Sequence, residues 1–232
     1  MNPDTAPNQL ELPIPDARRS NLPSRIRAAQ PAEAAAPFDD SHYLFEPWWP
    51  GLRALAFVEG GRLRLQAEGL ADADAAFGEL GVELPGQLMA DATVLDGTLL
   101  VLDETGHLDA ALLRARLHGG RRAGRPAFVA SDLLWSGGES WTARRFAARR
   151  ERLSSVLVDG DRAVVGRALV GEGTLLAEAL ARMGIEAMSA RRLDARYRAG
   201  SAGEGWLRVP ISAAEPSMGR PTLALLQRLP LA

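Results

Sequence analysis

Apolar and polar residues alternate in two pairs of short segments in the first half of the chain. Residues 53–58 (RALAFV) and 62–66 (RLRLQ) flank Glu59-Gly60-Gly61, which is typical of a β-hairpin with a glycine turn. Residues 89–95 and 98–103 flank Asp96-Gly97, one of the strongest short hairpin signals. The pattern therefore predicts two antiparallel hairpins.

Helical spacing follows these segments. The predicted helices cover residues 72–80, 109–118, 142–157 and 174–183, and Thr142 is the expected N-cap of the third. The run 127–135 is short and mostly apolar between Pro126 and Gly137, which predicts a buried central strand. Late strands are expected near residues 187–190 and 206–209. Together these elements predict an α+β domain rich in antiparallel sheet.

The two ends of the chain differ from this middle part. Residues 1–40 carry seven of the 15 prolines and no sustained apolar periodicity, so we expect a disordered leader. The folded domain is expected over residues 41–210. Residues 211–232 are then a C-terminal tail, with room for one short helix at 221–231. No apolar run or signal-like start indicates a membrane span, and we expect a soluble, cytoplasmic protein.

Composition narrows the chemistry further. With 27 basic and 29 acidic residues the net charge is -2, so DNA binding would require a local patch and is expected to be weak. Every basic residue is an arginine, which cannot act as an amine nucleophile. The chain has no cysteine, and His42, His107 and His118 lack the spacing of metal ligands. The sequence therefore predicts no lysine-based, cysteine-based or metal centre.

Four segments together resemble a known family. They read FEPWWPGLR (45–53), LDGTLLVLD (95–103), FVASDLLW (128–135) and GIEAMSARRLD (184–194). Their order and residues are similar to those of the adenylation (nucleotidyltransferase) domain of ATP-dependent DNA ligases, especially the bacterial end-joining type. The similarity covers roughly residues 44–209. The resemblance implies an ATP-grasp-like ligase adenylation fold. It would lack the OB-fold domain that follows in such ligases.

The resemblance also assigns positions to a nucleotide pocket, which we call the vestigial nucleotide pocket. Its nine residues are Glu46, Trp48, Gly51, Arg53, Thr98, Ser131, Glu186, Arg191 and Arg208. Trp48 stands where the family has its nucleophilic lysine, so no catalytic residue is predicted. Thr98 replaces a carboxylate, and Ser131 replaces the aromatic residue that stacks on adenine.

The other matches are closer to the family pattern. Glu186 keeps the glutamate associated with metal, Arg191 replaces a phosphate-binding lysine, and Arg208 begins the last motif. A ligase needs an amine to attack the α-phosphate, carboxylates to hold a divalent metal, and cations at the leaving pyrophosphate. Because the amine is absent, we interpret the chain as a non-catalytic pseudo-ligase with an accessory role in DNA repair. ATP and Mg²⁺ would be the family's cofactors, and their binding is predicted to be weak or lost.

Other interpretations stay open at this point. Glu46, Arg53 and Glu186 would support a nucleotide-binding sensor. Arginines at 121–125, 144–152 and 191–198 would support an interaction module for DNA or for DNA-repair proteins, although such groups more often form solvated helix faces. Trp48 either stacks on a ligand or fills the pocket as core. Arg53 and Arg191 either clasp a phosphate or form ion pairs, for example with Glu186.

Overall fold

The structure is a computed structural model that describes residues 22–120, 122–212 and 221–222. Its strands are β1 (Gln30–Glu33), β2 (Asp40–Pro47), β3 (Leu52–Glu59), β4 (Arg62–Ala67), β5 (Thr93–Leu102), β6 (Arg125–Ser136), β7 (Glu139–Ser140), β8 (Ala163–Val165), β9 (Leu169–Gly171), β10 (Ala187–Arg192) and β11 (Ala202–Pro210). Its α-helices are α1 (Ala73–Ala76), α2 (Leu80–Glu83), α3 (Ala110–Leu117), α4 (Phe146–Val156) and α5 (Gly173–Arg182).

Two sheets organise the fold. One has the strand order β1-β11-β10-β2-β9 and is antiparallel except for the β1–β11 pair. The other has the order β4-β3-β5-β6-β7, with β8 added parallel to β6. A hydrophobic cluster that includes Phe45, Val129, Leu180 and Met188 joins both sheets to α5. The predicted α+β, antiparallel-rich class is confirmed, and the described residues contain no OB-fold barrel.

The first predicted hairpin is confirmed. Strands β3 and β4 pair from Ala54↔Ala67 to Glu59↔Arg62. Gly60 and Gly61 join them with φ values of 58° and 71°. Positive φ at both central residues belongs to a type I′ turn, whose twist matches that of the flanking strands. Glycine is required at these positions because it carries no Cβ to clash.

The second predicted hairpin is wrong. Asp96 and Gly97 lie inside β5, which runs without a turn and pairs with both β3 and β6. The Asp96 side chain is bound to Arg53 and Tyr197, so it is not available to cap a turn. A Cβ at Gly97 would lie 2.3 Å from the carbonyl oxygen of Val129. The glycine is there for close strand contact and not for a turn.

The helices partly match the expectations. Asp109 caps α3 by accepting hydrogen bonds from the backbone amides of Ala111 and Leu112. The segment 72–80 contains α1, capped by Asp72, and only the first residue of α2. The third helix begins at Phe146, with Arg145 at the cap position, so the prediction of Thr142 as N-cap is wrong. The strands expected at 127–135, 187–190 and 206–209 are present as parts of β6, β10 and β11.

The prediction of a disordered leader is wrong for residues 22–40, and residues 1–21 lie outside the described part. Strand β1 extends the first sheet beside β11. Ile26 is buried against Leu55 and Phe57, and its backbone exchanges two hydrogen bonds with the Gln66 side chain. The domain therefore begins before residue 41. Proline-rich composition misled the prediction because contacts to the rest of the domain, and not a local core, order this segment.

Because residues 22–33 pack on the domain, a substitution at their buried contact should lower the stability of the protein. Ile26→Ala should lower the free energy of unfolding by about 2–4 kcal/mol, because it leaves a cavity at a side chain that is only 7% exposed. Val82→Ala is the control, since Val82 is 83% exposed and should change stability by less than about 0.5 kcal/mol. Urea denaturation measures both. Equal, negligible losses would show that residues 22–33 do not dock in solution.

The expected tail helix at 221–231 lies mostly outside the described residues. Of that segment the structure describes Pro221 and Thr222, and Thr222 forms a bridge with His107. Ile211, in the predicted tail, is buried in the cluster that joins the sheets. The folded domain therefore reaches past residue 210. Within the described residues, no helix is both long and apolar enough to cross a membrane.

Candidate functional site

A small cavity lies where the two sheets face each other. Its walls come from the end of β2, the loop to β3, the middle of β5, β6, β10 and the tryptophan of β11. Its volume is about 60 Å³. The lining residues are Glu46, Pro47, Trp48, Trp49, Gly51, Arg53, Asp96, Gly97, Thr98, Ser131, Ser189, Arg191 and Trp206. Small-molecule sites usually enclose about 300–1,000 Å³, so this space is far smaller than a nucleotide needs.

Seven of the nine residues assigned to the vestigial nucleotide pocket line this cavity. Arg208 lies at its edge, with the guanidinium carbon 5.6 Å from the centre of the Trp48 ring. Glu186 is the exception. It is exposed, comes directly before β10, and does not line the cavity. The structure therefore brings seven of the assigned residues together, but the glutamate expected near a metal does not lie with them.

Aromatic and guanidinium groups pack against one another along the cavity. The rings of Trp48 and Trp206 stack at 5.9 Å with an interplanar angle of 29°. The guanidinium carbons of Arg53 and Arg191 each lie 4.3 Å from the centre of a Trp206 ring. The indole N–H of Trp206 donates to the Ser189 hydroxyl at 2.8 Å, which fixes the ring. Cation–π contacts of this kind stabilise the arrangement when they are shielded from water.

The two interpretations of Trp48 are both incomplete. Trp48 is only partly buried, so it is not a core residue, and one ring face is already used by Trp206. The neighbouring Trp49 is the core residue, at 4% exposed. Arg191 is buried, whereas Trp206 is partly buried like Trp48. Sequence reasoning placed Trp206 on a late strand but did not assign it to the site.

A buried ion-pair network supports the floor of the site. Asp132 is fully buried and receives two hydrogen bonds from Arg149, each 2.8 Å long. It receives a third, at 3.2 Å, from Arg191. Glu46 lies 3.5 Å from both Arg150 and Arg191. The network therefore neutralises these carboxylates within the protein.

A second buried ion pair lies on the opposite side of the cavity. Arg53 donates to both oxygens of the buried Asp96, and Tyr197 donates its hydroxyl to the same carboxylate at 3.0 Å. Burial raises the pKa of Asp96, but the charge and hydrogen bonds of Arg53 outweigh that effect and hold it below its usual range. Asp96 therefore stays charged and paired. Arg53 and Arg191 both form ion pairs, as one interpretation expected, but neither pairs with Glu186.

Glu46 is the less satisfied carboxylate. Burial raises its pKa, and the nearby charges of Arg150 and Arg191 do not reverse that effect. Its Oε2 atom and the Nε atom of Arg191 have no hydrogen-bond partner within the described residues. Two guanidinium groups at 3.5 Å attract this carboxylate without the close bidentate geometry that Arg149 provides to Asp132. Glu46 is held in place by charge more than by direct hydrogen bonds.

Sequence reasoning missed half of this network. The arginines at 144–152 were expected on a solvated helix face, yet Arg149 is only 3% exposed and the Arg150 side chain 11%. The signal that could have found them was Asp132, an acidic residue inside a run predicted to be a buried strand. A buried carboxylate requires a cationic partner. Helix α4, which packs on β6, supplies that partner.

The residues present do not fit a nucleotide with a bound metal. The cavity holds a volume of about 60 Å³, and its carboxylates Glu46 and Asp96 are occupied by arginines. Ser131 offers no ring to stack on a base. Within the part of the chain that the structure describes, no group of three or more His, Asp or Glu side chains is placed to hold a metal ion.

Known proteins similar to this chain are DNA ligases. No protein-family model matches it. The non-homologous end joining protein LigD of Mycobacterium tuberculosis is 30% identical over 168 residues, which is 72% of this chain and 21% of the relative. LigD of Mycolicibacterium smegmatis is 26% identical over 175 residues, or 75% of this chain and 22% of the relative. A probable DNA ligase of Anaeromyxobacter is 33% identical over 170 residues, covering 68% of this chain and 32% of that protein.

Solved structures agree with these sequence matches. The ligase domain of M. tuberculosis LigD superposes with a TM-score of 0.65 and 26% identity, over 79% of this chain and 58% of that one. A mycobacterial DNA ligase D complexed with ATP and MES also has a TM-score of 0.65, with 25% identity over 80% of this chain and 60% of that one. The chain spans about a fifth of the length of the LigD proteins. It is a DNA ligase-like protein, homologous to the adenylation domains of ATP-dependent DNA ligases of the bacterial end-joining type.

Proposed function

We propose that this chain is a pseudo-ligase, which keeps the ligase adenylation fold but forms no covalent adenylate. The observation that carries the proposal is the cavity of about 60 Å³ at the family's nucleotide position. Trp48 stands at its edge in place of the nucleophilic lysine, and the chain contains no lysine that could act instead. Arginine is not a substitute, because its guanidinium stays protonated.

The arrangement of charges supports the same proposal. Attack on an α-phosphate requires a nucleophile, an oriented triphosphate and groups that stabilise the charge on the leaving pyrophosphate. Arg191 is at the family's phosphate-binding position but is committed to Asp132 and Glu46. Arg53 is committed to Asp96. A nucleotide would have to break these buried pairs before it could bind, at a cost of several kcal/mol.

An accessory role in DNA repair is part of this proposal. Its support is the homology to LigD proteins, whose names describe non-homologous end joining. A net charge of -2 favours weak DNA binding through exposed arginines, or binding to a repair protein. We place the protein in the cytoplasm, because a chain without cysteine forms no disulfides and suits a reducing compartment.

The direct test is incubation of the purified chain with radiolabelled ATP, or labelled NAD, and Mg²⁺. We expect no label on the denatured chain above a boiled control, because the chain has no lysine and the cavity at the family's nucleotide position holds only about 60 Å³. A ligase domain of LigD, labelled in parallel, is the positive control. Covalent labelling of this chain that survives denaturing electrophoresis would refute the pseudo-ligase proposal.

A further inference from the structure

A second, larger cavity lies beside the vestigial nucleotide pocket, on the other side of Arg191 and Trp206. Its volume is about 750 Å³. It opens between β1, the start of α4 and the segment that joins β10 to β11. Of the nine residues assigned to the vestigial nucleotide pocket, Arg191 is the one that also lines this cavity. Its size is that of an ordinary small-molecule site.

The lining of this cavity is cationic. Its described charged side chains are Arg149, Arg191, Arg192, Arg196, Arg198, Asp132 and Asp194. Five positive and two negative charges leave an excess of three positive charges within the described lining. In a chain whose net charge is -2, this local excess is not a consequence of overall composition.

The two acidic groups are already paired. Asp132 is held by Arg149 and Arg191, and Asp194 is held by Arg192 at 2.9 and 3.1 Å. Arg196 and Arg198 are exposed, and among the described residues no side-chain partner is found for either guanidinium. Two arginines thus stand at the cavity with their donors available.

The segment that carries these two arginines is held firmly. Tyr197, between them, donates its hydroxyl to Asp96 and accepts the backbone N–H of Ala29 at 3.0 Å. Its own backbone N–H donates to the carbonyl of Thr142 at 3.0 Å, and the Phe146 N–H donates to the carbonyl of Ala195 at 2.8 Å. A fixed backbone lowers the entropy lost when the side chains bind a ligand.

We propose that this cavity is a binding site for a small polyphosphate anion, with Arg196 and Arg198 as its principal contacts. Guanidinium groups bind phosphate oxygens through paired, charge-assisted hydrogen bonds. Because Arg191 is also paired with Glu46, the positive charges of this lining left without a carboxylate partner among the described residues are those of Arg196 and Arg198. Two such charges suit an anion with several phosphate groups better than a single carboxylate. The site would recognise the phosphates and not a base, because Arg53, Arg191 and Trp48 already cover the rings of Trp206. This inference does not depend on the pseudo-ligase proposal.

Calorimetry with inorganic triphosphate at low ionic strength tests the proposal. We expect saturable binding at one site, weakening as salt is added. The double variant Arg196→Ala/Arg198→Ala should weaken binding by about tenfold or more, since it removes two charge-assisted contacts. Arg62→Ala/Arg114→Ala is the matched control, because it removes the same charge from two exposed arginines that do not line the cavity. It should change the affinity by less than about twofold.

A third variant separates shape from charge. Gly203 lines the cavity, and a Cβ added there meets nothing within 4 Å, so Gly203→Trp should fold and reduce the space without changing any charge. Weaker triphosphate binding by this variant supports a defined cavity. The proposal is overturned if triphosphate does not bind, if both double variants lose the same affinity, or if Gly203→Trp binds as the wild type does.

Two further ligands give the remaining outcomes. ATP should bind no more tightly than inorganic triphosphate, because the base is not recognised. If ATP binds far more tightly than triphosphate, and a Trp48→Ala variant binds both equally, the nucleotide pocket is open and the filled-pocket interpretation is refuted. The triphosphate site would still be supported in that case. The second ligand is short single-stranded DNA. If it displaces triphosphate at a lower concentration than ATP requires, the small-ligand proposal is overturned and the cavity belongs to a nucleic-acid surface.

Discussion

Asp132→Ala is expected to lower the free energy of unfolding by about 3–5 kcal/mol, because it removes the shared partner of two buried arginines. Arg149 is 3% exposed and Arg191 is 6% exposed, so each guanidinium would be left largely buried without its shared carboxylate partner. Glu46 would remain as the nearest carboxylate, at 3.5 Å from Arg191 without a hydrogen bond. Urea denaturation followed by tryptophan fluorescence measures the change.

The control for this variant is Asp194→Ala. Asp194 also pairs with an arginine, Arg192, but its side chain is 61% exposed. Exposed pairs contribute at most about 1 kcal/mol, and many contribute less. A small loss for Asp194→Ala beside a large loss for Asp132→Ala would confirm that burial makes the network structural. Similar losses for both would contradict that account.

Trp48→Lys is expected to leave the protein unable to adenylate itself, although it returns a lysine to the family's nucleophile position. A lysine reacts only if the nucleotide's α-phosphate is bound beside it, and Trp206 and Arg191 still bound the cavity, whose volume is about 60 Å³. Ser131 still offers no ring for adenine. Trp48 is only partly buried, so the variant should fold, and an unchanged thermal midpoint within about 5 °C would show this.

The fold was largely predictable because its strands have clear local signals. The glycine pair at 60–61 and the apolar run 127–135 determine their elements from nearby sequence alone. The prediction of a turn at Asp96-Gly97 was wrong for the opposite reason. The same dipeptide is found in turns and in close strand contacts, and what packs against it decides which one forms. The prediction of disorder was wrong for residues 22–40 for a similar reason, because contacts distant in sequence, such as Ile26 with Phe57, order this segment.

The site was predictable in part. The family motifs identified seven of the residues that line the small cavity. They did not identify Trp206, which lies beside Arg191 through the pairing of β10 and β11, and that pairing has no signal in either segment alone. The second cavity was also missed, because it combines β1, α4 and the segment after β10. Four of its arginines belong to the group 191–198, and the fold brings Arg149, from the separate group 144–152, beside them.

The proposed function requires that the nucleotide position is closed and that the chain forms no adenylate. Intact-mass spectrometry after incubation with ATP and Mg²⁺ tests it most directly, with wild type and Trp48→Lys side by side and a LigD ligase domain as positive control. We expect unchanged masses for both proteins and an added AMP on the control. An AMP adduct on the wild type would contradict the claim outright, and an adduct on Trp48→Lys alone would show that the lysine is missing but the pocket is open.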